Sequence, residues 1–189
     1  IFAPIIQVSL GVARDLSDEP QMVLCPLDEP TTIAGEARER IGWRHFCYDP
    51  TLAPPGKSVV VTSFTSDHAY WKNLSAEPEQ YDAEKKQIAL DVIARLEQRL
   101  PGLGDQVEVI DVATPMTFER FTGNWQGSME GWLLTTKTMS MTGQGMPKTL
   151  PGLDRFYMAG QWVEPGGGVP TAAMSGRRVI QMICKEDRK

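Results

Sequence analysis

The feature that most constrains this chain lies near its end. Phe156-Tyr157-Met158-Ala159-Gly160-Gln161-Trp162 reads as a short apolar strand with a glycine stop. Pro165-Gly166-Gly167-Gly168-Val169-Pro170-Thr171-Ala172-Ala173 then reads as three glycines feeding a helix. Pro170 suits the first helical turn, because its missing N–H has no partner there and its φ is already helical. The glycines ahead of it carry no Cβ, so backbone amides can approach a ligand closely. Unpaired N–H groups and the positive end of the helix dipole then face whatever sits in front. Such a turn suits a phosphate, or an electron-rich carbonyl or ring nitrogen of a cofactor. The small residues Ala172, Ala173, Ser175 and Gly176 come next, and the bulky Val179, Ile180, Met182 and Ile183 only after them. A plain glycine-rich turn between a strand and a buried terminal helix carries the same pattern, so the pattern alone leaves both readings open.

Upstream, Ile5 to Leu16 reads as a strand entering a charged turn, and Met22 to Leu27 as a second strand. The Ala, Glu and Arg content of Thr31 to Arg40 suggests one helical stretch. Ile41 to Tyr48 and Ser58 to Phe64 are strand-like, the latter rich in β-branched residues that suit a pleated surface. Between them, Asp49 to Lys57 holds prolines and a glycine that continue neither strand, which predicts a long-looped antiparallel hairpin. Gly56-Lys57-Ser58 superficially resembles a phosphate-binding loop, but the first glycine of that motif falls at Thr51 and two prolines intrude, so the loop reads as structural.

Tyr81 to Leu100 is the clearest helix. Ile88, Val92, Ile93, Leu96 and Leu100 share one face at helical spacing, and Pro101-Gly102 stops it. Val107 to Val112 alternates as the next strand, giving a β-β-α-β order typical of an α+β layer. Pro115 to Phe121 reads as a short helix that Thr114 caps. From Asn124 to Leu150, methionine and tryptophan recur as Trp125, Met129, Trp132, Met139, Met141 and Met146. These flexible, polarisable side chains either line a pocket for a long apolar ligand or fill an irregular core.

Three blocks carry a family resemblance in the same order: Asp49 to Lys57, Ala113 to Asn124, and Leu153 to Gly176. They resemble the phytoene desaturase, carotenoid isomerase and retinol saturase branch of the FAD-dependent, amine-oxidase-like oxidoreductases. The resemblance implies an α+β chain that is a fragment of an α/β FAD-binding fold. Residues 1–150 become part of a substrate-binding domain, with a mixed, largely antiparallel sheet covered by helices. Residues 151–189 become the closing strand, glycine-rich loop and helix of the FAD domain. The implied cofactor is FAD, with Gly160 and Gln161 along the ribityl–phosphate chain and Gly167, Gly168, Val169, Pro170 and Thr171 near the isoalloxazine. Many relatives carry Asp where this chain has Gln161. The implied substrate is an apolar polyene-type small molecule, with Trp125, Met129, Trp132 and Trp162 lining its pocket.

No dinucleotide fingerprint is present. Gly102-Leu103-Gly104 and Gly143-Gln144-Gly145 both lack the third glycine and a credible strand–helix setting. In the family that fingerprint lies nearer the N-terminus, so the chain reads as a fragment whose partner is the N-terminal FAD-binding part of the same protein. Flavin oxidation of an amine, within the same superfamily, and a non-catalytic assembly module that keeps the scaffold are the alternative readings.

Composition narrows the partners. Lys+Arg 19 against Asp+Glu 24 gives −5 without a clustered basic patch, which excludes a nucleic-acid footprint. Cys25, Cys47 and Cys184 lack Cys-x-x-Cys spacing, and with only His45 and His68 beside them no metal site is expected. The thiols fit a reducing, cytoplasmic setting. An apolar substrate implies a membrane-facing entrance and peripheral membrane contact, although no stretch reads as an amphipathic anchor. Among the carboxylates near the motifs, Glu130 and Glu164, Glu164 is the candidate general base, set against an ordinary loop carboxylate.

Overall fold

The computed structural model describes residues 1–139 and 146–188. Contacts divide the chain into two compact units, Pro4–Gly127 on one side and Ile1–Ala3 with Ser128–Lys189 on the other. The sequence reading draws its boundary later, at residue 150.

The first unit is a five-stranded sheet. Its strands are β1 (Ile5–Val12), β2 (Met22–Ile33), β3 (Glu36–His45), β4 (Ser58–Thr65) and β5 (Val107–Ala113), in the order β2-β3-β4-β1-β5. Every neighbouring pair is antiparallel. β1 shows why one face is buried: Ile6, Val8, Leu10 and Val12 alternate with Gln7, Ser9 and Gly11, and each of the four is at most 1% exposed. Onto that face α2 (Pro78–Glu97) lays Ile88, Ala89, Val92 and Leu96, with Leu100 just beyond. Full burial of each such aliphatic side chain contributes about 1.5–3 kcal/mol.

α1 (His68–Leu74) went unread in the sequence, although Asp67 caps it by accepting from the Ala69 N–H at 2.8 Å. It buries Trp71 completely, and the indole N–H donates to Ser66 Oγ at 2.9 Å. Tyr70 and Tyr81 each meet that indole nearly edge-on at 5.5 Å. α3 (Pro115–Thr122) opens with Pro115 and a capping box in which Thr114 and Thr117 exchange side-chain contacts, and it stops at Gly123.

The expected helix over Thr31 to Arg40 is not formed. Those residues belong to β2 and β3, joined by a two-residue turn at Ala34 and Gly35 with Ile33 opposite Glu36. Both turn residues have positive φ, 49° and 76°, which is the turn twist that matches a tight antiparallel hairpin. Thr31, Thr32 and Ile33 are β-branched, and cross-strand pairing outweighs the helix preference of the Ala, Glu and Arg that follow. The long-looped hairpin between β3 and β4 is present, with Arg44 opposite Val61 and His45 opposite Val60.

In the second unit the long element is α4 (Gly168–Glu186). The apolar run Phe156 to Trp162, expected as a strand, forms turns and irregular chain instead. A strand needs a ladder, and the backbone bond from Met158 N–H to Lys148 O is a single rung. The fold is therefore α+β, with an antiparallel sheet and helices. Met141 and Gly143-Gln144-Gly145 lie outside the described residues.

Candidate cofactor-facing site

Two stretches of the second unit hold each other. The Phe2 N–H donates to Gly131 O at 3.0 Å, and the Gly166 N–H donates to Trp132 O at 3.1 Å. Gln161 Oε1 accepts from the Gly131 N–H at 3.1 Å, and the Trp132 indole N–H donates to Trp162 O at 2.9 Å. Gly131 fits only as glycine, since a Cβ there would lie 2.3 Å from Gln161 O. These bonds fix the chain leading into the glycine run.

α4 then starts without a capping side chain. Gly167 is its N-cap at φ 66°, a conformation L side chains rarely adopt, and a Cβ added there would lie 1.9 Å from Glu130 Oε2 and 3.0 Å from the Phe2 ring. Val169 at the next turn is 82% exposed, and Pro170 is exposed beside it. The result is a helix amino end with no side-chain cap and a partial positive charge, bordered by the Glu130 carboxylate and the Phe2 ring. Ser175 Oγ, fully buried two turns into α4, accepts from the Gly160 N–H at 3.0 Å and so ties the glycine stop to α4.

The residues fit an electron-rich group. The Glu130 carboxylate lies beside Gly167 and Gly168, on the side where a Cβ would stand. Gly160, Gln161, Gly167, Gly168, Val169, Pro170 and Thr171 thus fall along one stretch, from the Ser175-bonded loop to the helix start. Gln161 uses its carbonyl oxygen on Gly131, which makes it a brace of the loop as well as a candidate contact.

Glu164 stands apart from that line. It is 6% exposed, its Oε2 lies 2.9 Å from Lys148 Nζ, and its Oε1 pairs with Arg178 of α4. Burial pushes its carboxyl up, but Lys148 and Arg178 outweigh that and hold it below the ordinary carboxylate value. A carboxylate engaged on both oxygens by cations is a poor general base, and its evident role is to anchor the loop to α4. Lys148 and Arg178 were missed in the sequence, where nothing distinguishes a buried lysine from a solvated one. Phe2 carried no signal either.

Of the expected pocket residues, Trp132 and Trp162 meet edge-to-face at 5.9 Å. Met129 is 45% exposed, and Trp125 belongs to the sheet unit, where it is 62% exposed. Four grooves on the sheet unit have other linings, for instance one of about 380 Å³ floored by Gly11, Val59 and Val109 and walled by Leu52 and Pro54. Among the described residues, no group of three or more His, Cys, Asp or Glu could hold a metal ion, and no helix is long and apolar enough to cross a membrane.

Comparison with known proteins supports the family resemblance. The chain is 33% identical over 129 residues to the chloroplastic prolycopene isomerase of Arabidopsis thaliana, covering 68% of this chain and 21% of that protein. It is 30% identical over 145 residues to the phytoene dehydrogenase of Streptomyces griseus, covering 71% of this chain and 26% of that one. The matched stretch is related to the carotenoid desaturase and isomerase-like oxidoreductases. Against a solved oxidoreductase from Methanosarcina mazei, the fold superposes with a TM-score of 0.51 over 96% of this chain and 35% of that one, at 17% identity. No protein-family model matches. The chain spans about a fifth to a quarter of the length of the curated desaturase and isomerase relatives.

Proposed function

We propose that this chain is the later portion of an FAD-dependent oxidoreductase that acts by hydride transfer on an apolar, polyene-type substrate, in desaturation, saturation or isomerisation. One observation carries the reading: the uncapped, glycine-led amino end of α4, whose own residues bring no side chain before the exposed Val169, in a chain related to carotenoid desaturases and isomerases. FAD, when bound, supplies the hydride chemistry, and the protein's part is to bind, orient and keep water out. The backbone donors at Gly168 and Val169 favour an electron-rich edge, by a few tenths to about 1 kcal/mol. Gly160 and Gln161 serve the ribityl–phosphate chain, and Thr171 with Pro170 borders the ring. Trp132 and Trp162, with Met129, offer apolar surface for the substrate.

The pyrophosphate cradle comes from an N-terminal FAD-binding part of the same protein, so residues 1–189 alone bind FAD weakly and are inactive. The substrate approaches from a membrane surface that the protein meets peripherally, and nucleic acid is not a partner. The test is bound flavin absorbance in the full-length protein after dialysis, followed by anaerobic mixing with a polyene or an amine. Bleaching by the polyene supports the proposal, bleaching only by the amine makes the protein an amine oxidase, and a colourless protein removes the flavin altogether.

A further inference from the structure

We propose that the corner ending α3, with Phe121 and Trp125 at its tip and Arg120 beside them, docks the protein on an anionic lipid bilayer. This rests on the peripheral contact proposed above for an apolar substrate, and it names the surface that makes that contact. Phe121 is 75% exposed and Trp125 62%, so most of both rings stands in water. A braced turn holds them there. Gly123, at φ 68°, ends α3 with its N–H donating to Glu119 O at 2.9 Å. The Thr122 hydroxyl donates to Phe118 O at 2.7 Å, and the Asn124 N–H donates back to Thr122 Oγ1 at 3.1 Å. The Gly127 N–H then donates to Asn124 O at 3.0 Å, and a Cβ at Gly127 would lie 2.0 Å from Pro115 O. The turn therefore closes on the start of α3. Two large rings displayed on so constrained a turn mark an interaction surface.

Charge indicates what covers them. The Arg120 guanidinium lies 4.7 Å from the centre of the Phe121 ring. Arg120 and Lys85 of α2 together line a groove of about 480 Å³, which also holds Ser75, Thr117 and a single carboxylate, Asp82. Among the described residues neither cation has a carboxylate within ion-pair distance. Glu119, the acid next to Arg120, is instead engaged by the nearly buried His68 at 2.8 Å. Two cations against one carboxylate leave the groove positive, beside the exposed rings. Lipid headgroups match that pairing: aromatic rings settle at the boundary of water and hydrocarbon, and basic side chains meet the phosphates. A contact of two rings and two cations suits reversible docking, which lets the protein reach an apolar substrate dissolved in the bilayer.

The test is sedimentation of the full-length protein with vesicles of phosphatidylcholine, with and without phosphatidylglycerol. The parent is compared with Phe121→Ser/Trp125→Ser and with Lys85→Gln/Arg120→Gln. The aromatic variant is expected to lose at least about tenfold in affinity for phosphatidylglycerol vesicles. The cation variant is expected to lose about tenfold on the same vesicles, by a margin that shrinks as salt rises. Brominated lipid should quench tryptophan fluorescence more in the parent than in Trp125→Phe. A parent that stays in the supernatant, or double variants that both bind as it does, overturns the inference. Loss in the cation variant alone overturns the role of the rings, and loss in the aromatic variant alone overturns the headgroup pairing. Vesicle binding lost together with bound flavin in the aromatic variant also overturns the inference, because the corner then packs against the rest of the protein. A colourless parent that still sediments through this corner removes the flavin reading and leaves the docking surface standing.

Discussion

Glu164→Ala is the sharpest perturbation of the second unit. Lys148 and Glu164 each keep only 8% of their side-chain area exposed, with Nζ and Oε2 2.9 Å apart. Arg178, on the other carboxylate oxygen, is 45% exposed and can turn to water once its partner is gone. Lys148 cannot, since its remaining neighbours are Met146 O and Val163 O, both at 3.5 Å. Removing one member of a buried pair costs roughly 3–5 kcal/mol, because the survivor is left charged in a poor solvent. Those two carbonyls, and the half-exposed Arg178 side chain next to the carboxylate's place, put the expected cost at the lower end, about 3 kcal/mol or roughly a 100-fold loss of protection.

The assay is amide hydrogen exchange along α4, around the buried Ser175 and Val179. The double variant Glu164→Leu/Lys148→Met removes both ions and is expected to regain most of the protection, which a simple loss of packing would not allow. The pH dependence has a definite sign. The folded carboxyl titrates below its ordinary value of 4.5, so its contribution is complete above that value and disappears as pH falls through the depressed one. Protection in α4, corrected for the intrinsic pH dependence of exchange, should fall on acidification in the parent and not in Glu164→Ala. Protection in the single variant within about threefold of the parent, too small for a buried-charge penalty, would refute the reasoning, as would a double variant as labile as the single.

Two further outcomes are expected in the sheet unit. Gly35→Val places a β-branched residue at φ 76° while leaving Tyr70 at ordinary contact distance, so the cost is conformational, about 1–2 kcal/mol; an unchanged urea midpoint would mean that the turn is not the one described. Tyr70 is pushed up to about 12 by burial and then by Glu84, whose Oε1 accepts the phenol proton at 2.9 Å. The raised value means stability that is complete below the ordinary 10.0 and is lost as pH rises towards about 12. Tyr70→Phe should flatten that alkaline slope, and a slope identical to the parent's would assign it to another group.

Much of the sheet unit was legible, and for definite reasons. β5 announces itself by alternation, β4 by its β-branched run, α2 by its helical stripe, and α3 by Thr114 ahead of Pro115. Each signal is local, because period and capping are properties of neighbouring residues. Thr31 to Arg40 was misread because helix preference and hairpin pairing compete there, and pairing depends on a partner strand that local composition does not reveal. Phe156 to Trp162 was misread for the complementary reason: apolar residues suit a strand, but among the described residues the segment joins no ladder beyond the bond from Met158 N–H to Lys148 O.

At the candidate site the division is sharper. The sequence by itself determined that three glycines and Pro170 begin a helix with open amides, since that follows from a missing Cβ and a missing N–H. Only the tertiary structure decided that Glu130 faces those glycines, that Phe2 borders them, and that Glu164 is locked between Lys148 and Arg178. Those partners lie from 14 to more than 160 positions apart along the chain. Charge pairing and close approach are set by distance in space, which residue order does not encode until the chain has folded.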